Sequence, residues 1–229
     1  MSQTRFNTQR LTTSAVMLAL AVILAMVCAL IPFLNLPFGG GFTIASMLPI
    51  VLVSYMYGVK WGMFTSAVYS VLQIVMDLYL GKGSSLMALF MPNSDEFMGY
   101  FAAVAILIID YVVAYTVLGF GGVFRKRIKN KTLAIALGVV LALSLRYVAH
   151  IISGFIFYGT WAEWFFSQEN FYSIGAWILD SFSGKALALI YSVFYNGLYM
   201  IPEIIITVVA SLAVSRIPVI KIQNKDSLT

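Results

Sequence analysis

Long stretches without a charged side chain constrain this sequence more than any other feature. The stretch from Leu11 to Ile31 contains no charged residue. A helix of about 20 residues, at about 1.5 Å per residue, crosses the roughly 30 Å hydrocarbon core of a bilayer. The whole chain is 61% hydrophobic and 10% charged, whereas an ordinary soluble domain is about 25% charged. We therefore expect most of its surface to face lipid.

Six such stretches predict an all-α integral membrane protein: one domain over residues 1–229, built as a bundle of six transmembrane helices. Pro49 lies in the short second helix, and Pro202 in the sixth predicts a kink. The first stretch exceeds the roughly 7–15 residues of a signal-peptide core, which predicts a retained helix. The expected helices are about Leu11–Ile31, Thr43–Tyr57, Trp61–Leu80, Gly99–Phe120, Thr132–Tyr158 and Ala186–Ser215.

The distribution of Lys and Arg predicts the orientation. With the N-terminus in the cytoplasm, only Lys82 and Lys185 fall outside, which is a strong positive-inside bias. We therefore expect both termini to be cytoplasmic in a multi-pass protein of the cell membrane. This placement in short loops argues against a nucleic-acid partner despite a net charge of +5. The cytoplasmic set is Arg5, Arg10, Lys60, Arg125, Lys126, Arg127, Lys129, Lys131, Arg216, Lys221 and Lys225.

The loop over residues 160–185 is unusually aromatic for an extracellular connection. Its acidic residues make a further spanning helix improbable, so we expect an interfacial segment across the outer mouth of the bundle. Two interpretations stay open, an aromatic belt at the headgroups or a lid over a ligand site. Its aromatic residues include Trp161, Trp164, Phe165, Phe166, Phe171, Tyr172 and Trp177.

Most enzymatic and metal chemistry is excluded by what the sequence lacks. It contains no Gly-x-x-x-x-Gly-Lys-[Ser/Thr] motif and one histidine, so neither a P-loop nor a common zinc or triad site can be built. Cys28 is the single cysteine, which excludes a disulfide bond within the chain. We expect that the protein is not an enzyme and that it binds neither a cofactor nor a metal.

Four ionisable residues lie inside the predicted helices: Asp110, Arg146, His150 and Glu203. On insertion scales an Asp or Arg at mid-membrane costs about 2.5–3.5 kcal/mol, so such residues normally face a cavity or a partner. Glu203, beside Pro202, is expected near the cytoplasmic end in a structural role. The other three are candidates for a ligand site.

Depth brings the candidates together. At 1.5 Å per residue, Asp110 lies about 17 Å, Arg146 about 18 Å and His150 about 12 Å below the outer ends of their helices. On the sixth helix, Tyr191 and Asn196 lie about 8 Å and 15 Å deep. Gly154 and Tyr158 continue the helical face of Arg146 and His150. A carboxylate, imidazole, amide and phenols in one half of the bundle suit a small, flat, nitrogen-rich cation.

Structural interpretations compete with this one. Asp110 and Arg146 could form an ion pair, His150 could be a satisfied core histidine, and Asn196 could join two helices. On the first helix, the small residues Ala15 and Ala19 offer a smooth face for another helix, in this chain or in a partner.

The sequence also resembles a known family. Arg146–Gly159 and Ile190–Asn196 are similar to motifs of thiamine-specific S-components of energy-coupling-factor (ECF) transporters, the ThiT/YuaJ family. Ile109-Asp110-Tyr111 resembles the pair of an acidic residue and a tyrosine in that family. Residues 40–62 also resemble the corresponding segment of the family. The resemblance extends in order over nearly the whole chain.

The resemblance implies a membrane subunit that captures thiamine from outside and works with a coupling protein and two ATPase subunits. It implies that Ala15 and Ala19 contact the coupling protein. The residues that it places at the ligand are Asp110, Tyr111, His150, Gly154, Tyr158, Tyr191 and Asn196. Three other functions stay open: a proton-coupled carrier that uses Asp110, Arg146 and His150 as a relay, an intramembrane enzyme, and a structural subunit without a ligand.

Overall fold

The computed structural model describes residues 2–36, 40–80 and 86–223, and within that part of the chain the regular structure is helical. Phe38, the Gly81-Lys82-Gly83 turn and Lys225 lie outside the described residues, as do the side chains of Arg5, Asn170 and Tyr172. The helices are α1 (Ser2–Ala29), α2 (Leu48–Tyr57), α3 (Val59–Leu80), α4 (Tyr100–Gly122), α5 (Lys131–Phe157), α6 (Ala162–Phe166), α7 (Tyr172–Ser181) and α8 (Gly184–Val214).

Four helices, α1, α4, α5 and α8, are long and apolar enough to cross a membrane. In α1 the apolar span is Asn7–Ala29. Helix α3 has 22 residues and is about 33 Å long, which is also enough to cross a bilayer. It is not among the four apolar helices, and it carries the polar residues Gln73 and Asp77. These helices confirm an all-α membrane protein with apolar spans close to the expected positions.

The start of the second helix was predicted wrongly. Sequence placed it at Thr43, but α2 begins at Leu48 and has ten residues, about 15 Å. Ala45 has a φ of 58°, the left-handed conformation that interrupts a right-handed helix. Pro49 is tolerated because it lies in the first turn of α2. Residues 40–47 therefore form a non-helical connecting segment.

The helix α2 lies at the centre of the bundle rather than at its surface. Every residue from Leu48 to Met56 is buried, and the main core cluster joins this helix to α1, α3, α5 and α8. Close packing needs small residues where helices cross. At Gly138 of α5, a Cβ atom would lie 2.0 Å from the carbonyl oxygen of Gly121 in α4. Only glycine fits this crossing.

The aromatic segment between α5 and α8 folds against the bundle. Phe165 and Phe166 of α6 are buried against α8. By contrast, the side chains of Trp164 and Trp177 are 48% and 62% exposed. The segment thus has one face in the core and one apolar face turned outward.

Candidate ligand-binding site

Asp110 lies in a distorted turn of α4. The stretch Leu107–Val113 forms a π-helix. Such turns are rare in proteins, and those that occur often lie at functional sites. One carboxylate oxygen of Asp110 contacts Nδ1 of His150 at 2.8 Å, and the other accepts a hydrogen bond from Oγ of Ser153 at 2.6 Å. Both partners lie on α5, so Asp110 joins α4 to α5 inside the bundle.

The imidazole of His150 is oriented by this contact. An ionised carboxylate only accepts hydrogen bonds, so opposite such a group Nδ1 carries the proton and donates it. In a neutral ring, Nε2 is then an acceptor. Nε2 is buried and has no hydrogen-bond partner among the described residues. The ring therefore offers one polar atom that none of the described residues uses.

The third helix of the site is α8, which brings Asn196 to His150. The Asn196 amide donates to the carbonyl oxygens of His150, at 3.3 Å, and Ser192, at 2.8 Å. Its own oxygen accepts a hydrogen bond from the hydroxyl of Tyr199, whose ring meets the His150 ring edge-on with centroids 5.9 Å apart. We call Asp110, His150, Ser153 and Asn196 the polar cluster.

Gly154 has a structural reason to be glycine. A Cβ atom there would lie 2.3 Å from Oγ of Ser192, so the missing side chain allows α5 and α8 to approach closely. Asn196 lies beside the same contact, 3.1 Å from that Cβ position. Sequence analysis explained Gly154 by ligand approach, and that role stays a prediction.

Tyrosines surround the polar cluster on the side of the aromatic segment. Tyr191 is 6% exposed, and its ring lies 5.3 Å from that of Phe165 and 5.6 Å from that of Tyr195, between centroids. Tyr158 is half-buried and within electrostatic range of Asp110. Tyr111 is half-buried, and its hydroxyl lies within hydrogen-bonding reach of Asp77 on α3.

Arg146 does not pair with Asp110. Its guanidinium contacts the hydroxyl of Tyr115 at 3.2 Å and Sδ of Met47 at 3.0 Å, and it lies over the Tyr115 ring with Cζ 4.5 Å from the centroid. The ion pair that the sequence left open is therefore absent, and Asp110 pairs with His150 instead. Arg146 lies one turn below His150 and is buried.

Sequence reasoning missed several residues that complete the site. Ser153 could have been found, because it lies three residues after His150 on the same helical face. Tyr195 and Tyr199 repeat the spacing of four from Tyr191, which is also readable in the sequence. Met47 and Ser192 carried no such signal, because only long-range packing brings them to these residues.

The two small-residue stripes of α1 have different surroundings. Ala21 and Ala25 are buried in the bundle, whereas Ala15 and Ala19 are exposed. The exposed pair lies among the outward-facing apolar residues Val16, Leu20 and Ile23. One stripe of small residues on this helix therefore packs inside the bundle, and the other is exposed.

Comparison with known proteins gives matches of three kinds. A family model described as "Thiamine transporter protein (Thia_YuaJ)" matches residues 11–93 and 86–175. The thiamine transporter ThiT of Bacillus subtilis (strain 168) is 32% identical over 207 residues, covering 86% of this chain and 85% of that protein. The structure of ThiT from Listeria monocytogenes aligns with a TM-score of 0.55 over 91% of this chain and 98% of that one, at 17% identity, which is a likeness of fold.

Apolar spanning helices define a multi-pass membrane protein, and the family match makes its class that of a transporter rather than an enzyme. Within this class, the chain belongs to the thiamine transporter family.

Proposed function

We propose that this protein is the high-affinity thiamine-binding subunit of an ATP-driven, ECF-type vitamin importer. In this proposal it captures thiamine from outside the cell and delivers it with a separate energising module. Two observations carry the proposal: Asp110 contacts Nδ1 of the buried His150 imidazole, and Nε2 of that ring has no hydrogen-bond partner within the described part of the chain.

Thiamine fits the chemistry of this site in two respects. Its aminopyrimidine ring carries an exocyclic amine, which is a donor for the Nε2 acceptor of His150. Its thiazolium ring is a permanent cation, which the Asp110 carboxylate and the faces of Tyr158 and Tyr191 would stabilise. The full set that we assign to the ligand is Asp110, Tyr111, Arg146, His150, Gly154, Tyr158, Tyr191 and Asn196.

The test is a titration of the purified protein with thiamine, followed by Trp and Tyr fluorescence. We expect saturable quenching at submicromolar thiamine. A complete lack of response up to millimolar thiamine would refute the proposal. Mass spectrometry of the freshly purified protein adds an independent readout, because a tightly held vitamin should be carried through purification.

We further propose that transport needs a coupling protein and two ATPase subunits. The family relationship and the exposed Ala15 and Ala19 face of α1 support this, because small residues permit close packing of a partner helix in a bilayer. Reconstitution in liposomes should give thiamine uptake only when the three partner subunits and ATP are present.

A proton-coupled carrier is the alternative, and the same experiment separates the two. Uptake driven by a proton gradient in liposomes that lack any ATPase would favour the carrier. The contacts of Arg146 argue against the relay, because this residue bonds to Tyr115 and Met47 rather than to Asp110.

We also propose six membrane crossings with both termini in the cytoplasm. Because α2 is too short to cross alone, residues 40–47 would complete its crossing inside the bundle. Non-helical backbone at membrane depth is tolerated where protein surrounds it, and Ala45, Ser46 and Met47 are buried. Residues 160–185 would lie in the outer interface, with Trp164 and Trp177 among the headgroups.

A further inference from the structure

Glu203 is a buried carboxylate of α8 that the proposed ligand contacts do not use. It is 1% exposed and lies about 28 Å along α8 from Gly184. Its contacts are with the segment that connects α1 to α2, and its expected position near the cytoplasmic end stays a prediction. An ionised side chain inside a protein is costly unless hydrogen bonds satisfy it, so its partners indicate its role.

Those partners are two donors of one residue. The backbone N–H and the hydroxyl of Thr43 both donate to the Glu203 carboxylate, the hydroxyl at 2.7 Å. The same hydroxyl lies 2.6 Å from Oγ of Ser46. Glu203 thus holds residues 40–47, which we call the connecting segment, at its middle.

The connecting segment also contacts α1 and α5. The N–H of Ile44 donates to Sγ of Cys28 on α1 at 3.2 Å, and Met47 contacts the guanidinium of Arg146 on α5. Glu203 and Arg146 are also within electrostatic range of each other. The segment is therefore held between α1, α5 and α8, and two of its three contacts are with charged groups, the Glu203 carboxylate and the Arg146 guanidinium.

This anchor lies next to the polar cluster. At Gly40, three residues before Thr43, a Cβ atom would lie 3.4 Å from the ring of Tyr199 and 3.6 Å from the hydroxyl of Tyr195. Tyr199 in turn bonds to Asn196 and packs against His150. Asn196, Tyr199 and Glu203 recur at spacings of three and four, so one face of α8 carries both the site and the anchor.

The backbone of the segment also needs to be held. Ala45 is the non-glycine residue with positive φ among the described residues. A non-glycine residue in the left-handed region is strained and persists where the surroundings fix it. The flanking bonds of Thr43 and Ser46 supply that constraint.

We propose that Glu203 is a positioning residue for the ligand site: its bonds to Thr43 hold the connecting segment against Tyr195 and Tyr199, and this slows release of the ligand. The inference rests on the proposed thiamine site. It adds a residue that touches no ligand and a wall of the site that comes from the α1–α2 connection.

The experiment measures the dissociation rate of thiamine and the thermal midpoint of each variant in detergent. Loss of a hydrogen bond to a charged group predicts that Glu203→Gln and Thr43→Val release thiamine roughly tenfold faster. Thr43→Ser keeps the hydroxyl and should release thiamine at the wild-type rate. The double variant should be no faster than the faster single variant, because both changes break the same contact.

Ser211→Ala is the matched control, since Ser211 is buried two turns further along the same face and bonds within α8, to the carbonyl oxygen of Val208. It should leave the dissociation rate unchanged even where it lowers the thermal midpoint. If Glu203→Gln does not fold, the Thr43 pair decides alone. Wild-type release from Thr43→Val, or equal acceleration in Ser211→Ala, overturns the inference. A wild-type protein that binds no thiamine would instead overturn the proposed function.

Discussion

At the scale of single residues, the polar cluster is held in place by bonds of the protein itself. Asp110 is satisfied by two donors from α5, and Asn196 by bonds to α5 and α8. Groups fixed in this way lose little freedom on binding, so more of the interaction energy is available as affinity. The positions of the cluster matter for this reason as much as the residue types do.

Replacing Asp110 by Asn should weaken thiamine binding by about 1–3 kcal/mol, because a charge-assisted contact is lost and a hydrogen bond to His150 is altered. The measurement is a fluorescence titration at neutral pH. Asp180→Asn, in the exposed part of α7, is the control and should bind as the wild type does. Wild-type affinity in Asp110→Asn would remove this carboxylate from the site.

Glu96 gives the stability of the protein a pH dependence. Partial burial, and secondly the carboxylate of Asp77, raise the pKa of Glu96 above its ordinary value. The folded state then binds the proton more tightly than the unfolded state, so stability rises as the pH falls through the raised pKa. At neutral pH the ionised group is destabilising.

We therefore expect Glu96→Gln to be at least as stable as the wild type at neutral pH. It should also gain less stability when the pH is lowered from 7 to about 5. Thermal midpoints in detergent measure both effects. Glu169→Gln changes an exposed carboxylate and serves as the control. An unchanged pH profile in Glu96→Gln would show that another group causes the dependence.

Several residues of the candidate site could be predicted from the sequence, for a physical reason. Polar groups in apolar helices are costly, so Asp110, His150 and Asn196 were conspicuous in the sequence. Their partners were less so: Ser153 and Tyr199 are common residues in membrane helices and became informative only once α4, α5 and α8 were packed together. The bond from Thr43 to Glu203 joins residues 160 positions apart, and no local pattern encodes it.

At the scale of elements, α1 carries one buried and one exposed stripe of small residues. Its buried stripe packs in the bundle, and a tie to α3 fixes its start: Nε1 of Trp61 donates to Ser14 at 2.8 Å while Arg10 lies over the Trp61 ring. Ala15 and Ala19 of its exposed stripe are not buried against the described residues of the bundle. Substitutions there can therefore separate assembly from folding.

Changing both Ala15 and Ala19 to Leu should leave thiamine binding intact and strongly reduce ATP-dependent uptake, because two large side chains prevent close approach of a partner helix. Binding is measured on the purified protein and uptake in liposomes with the energising module. Val16→Leu enlarges a neighbouring exposed side chain and is the matched control. Full uptake by the double variant would place the partner elsewhere.

The second predicted helix shows why elements can be misplaced. Residues 43–57 are uniformly apolar apart from Thr43 and two serines, and hydropathy alone favours one helix through them. The chain instead breaks at Ala45, and distant contacts with α1, α5 and α8 fix the break. Hydropathy reports the solvent around a residue, but it does not report the backbone conformation.

At the scale of the whole molecule, charge asymmetry predicts how the bundle is inserted. The prediction is tested with single cysteines at Lys126 and Glu163, both exposed, in a background where Cys28 is replaced by Ser. In intact cells, a membrane-impermeant maleimide should label Glu163→Cys and not Lys126→Cys. Both should react after the membrane is permeabilised. The opposite pattern would reverse the proposed orientation.

The π-helical turn in α4 has a consequence for how such a site could arise. A π turn holds about one residue more than an α turn, so the faces of α4 before and after it are out of phase. An insertion of one residue into an ordinary apolar helix would rotate a carboxylate inward without disturbing the flanking turns. Removing Ile109 should reverse that step, giving a regular helix in which the acid has lost its register with His150 while the bundle around it persists.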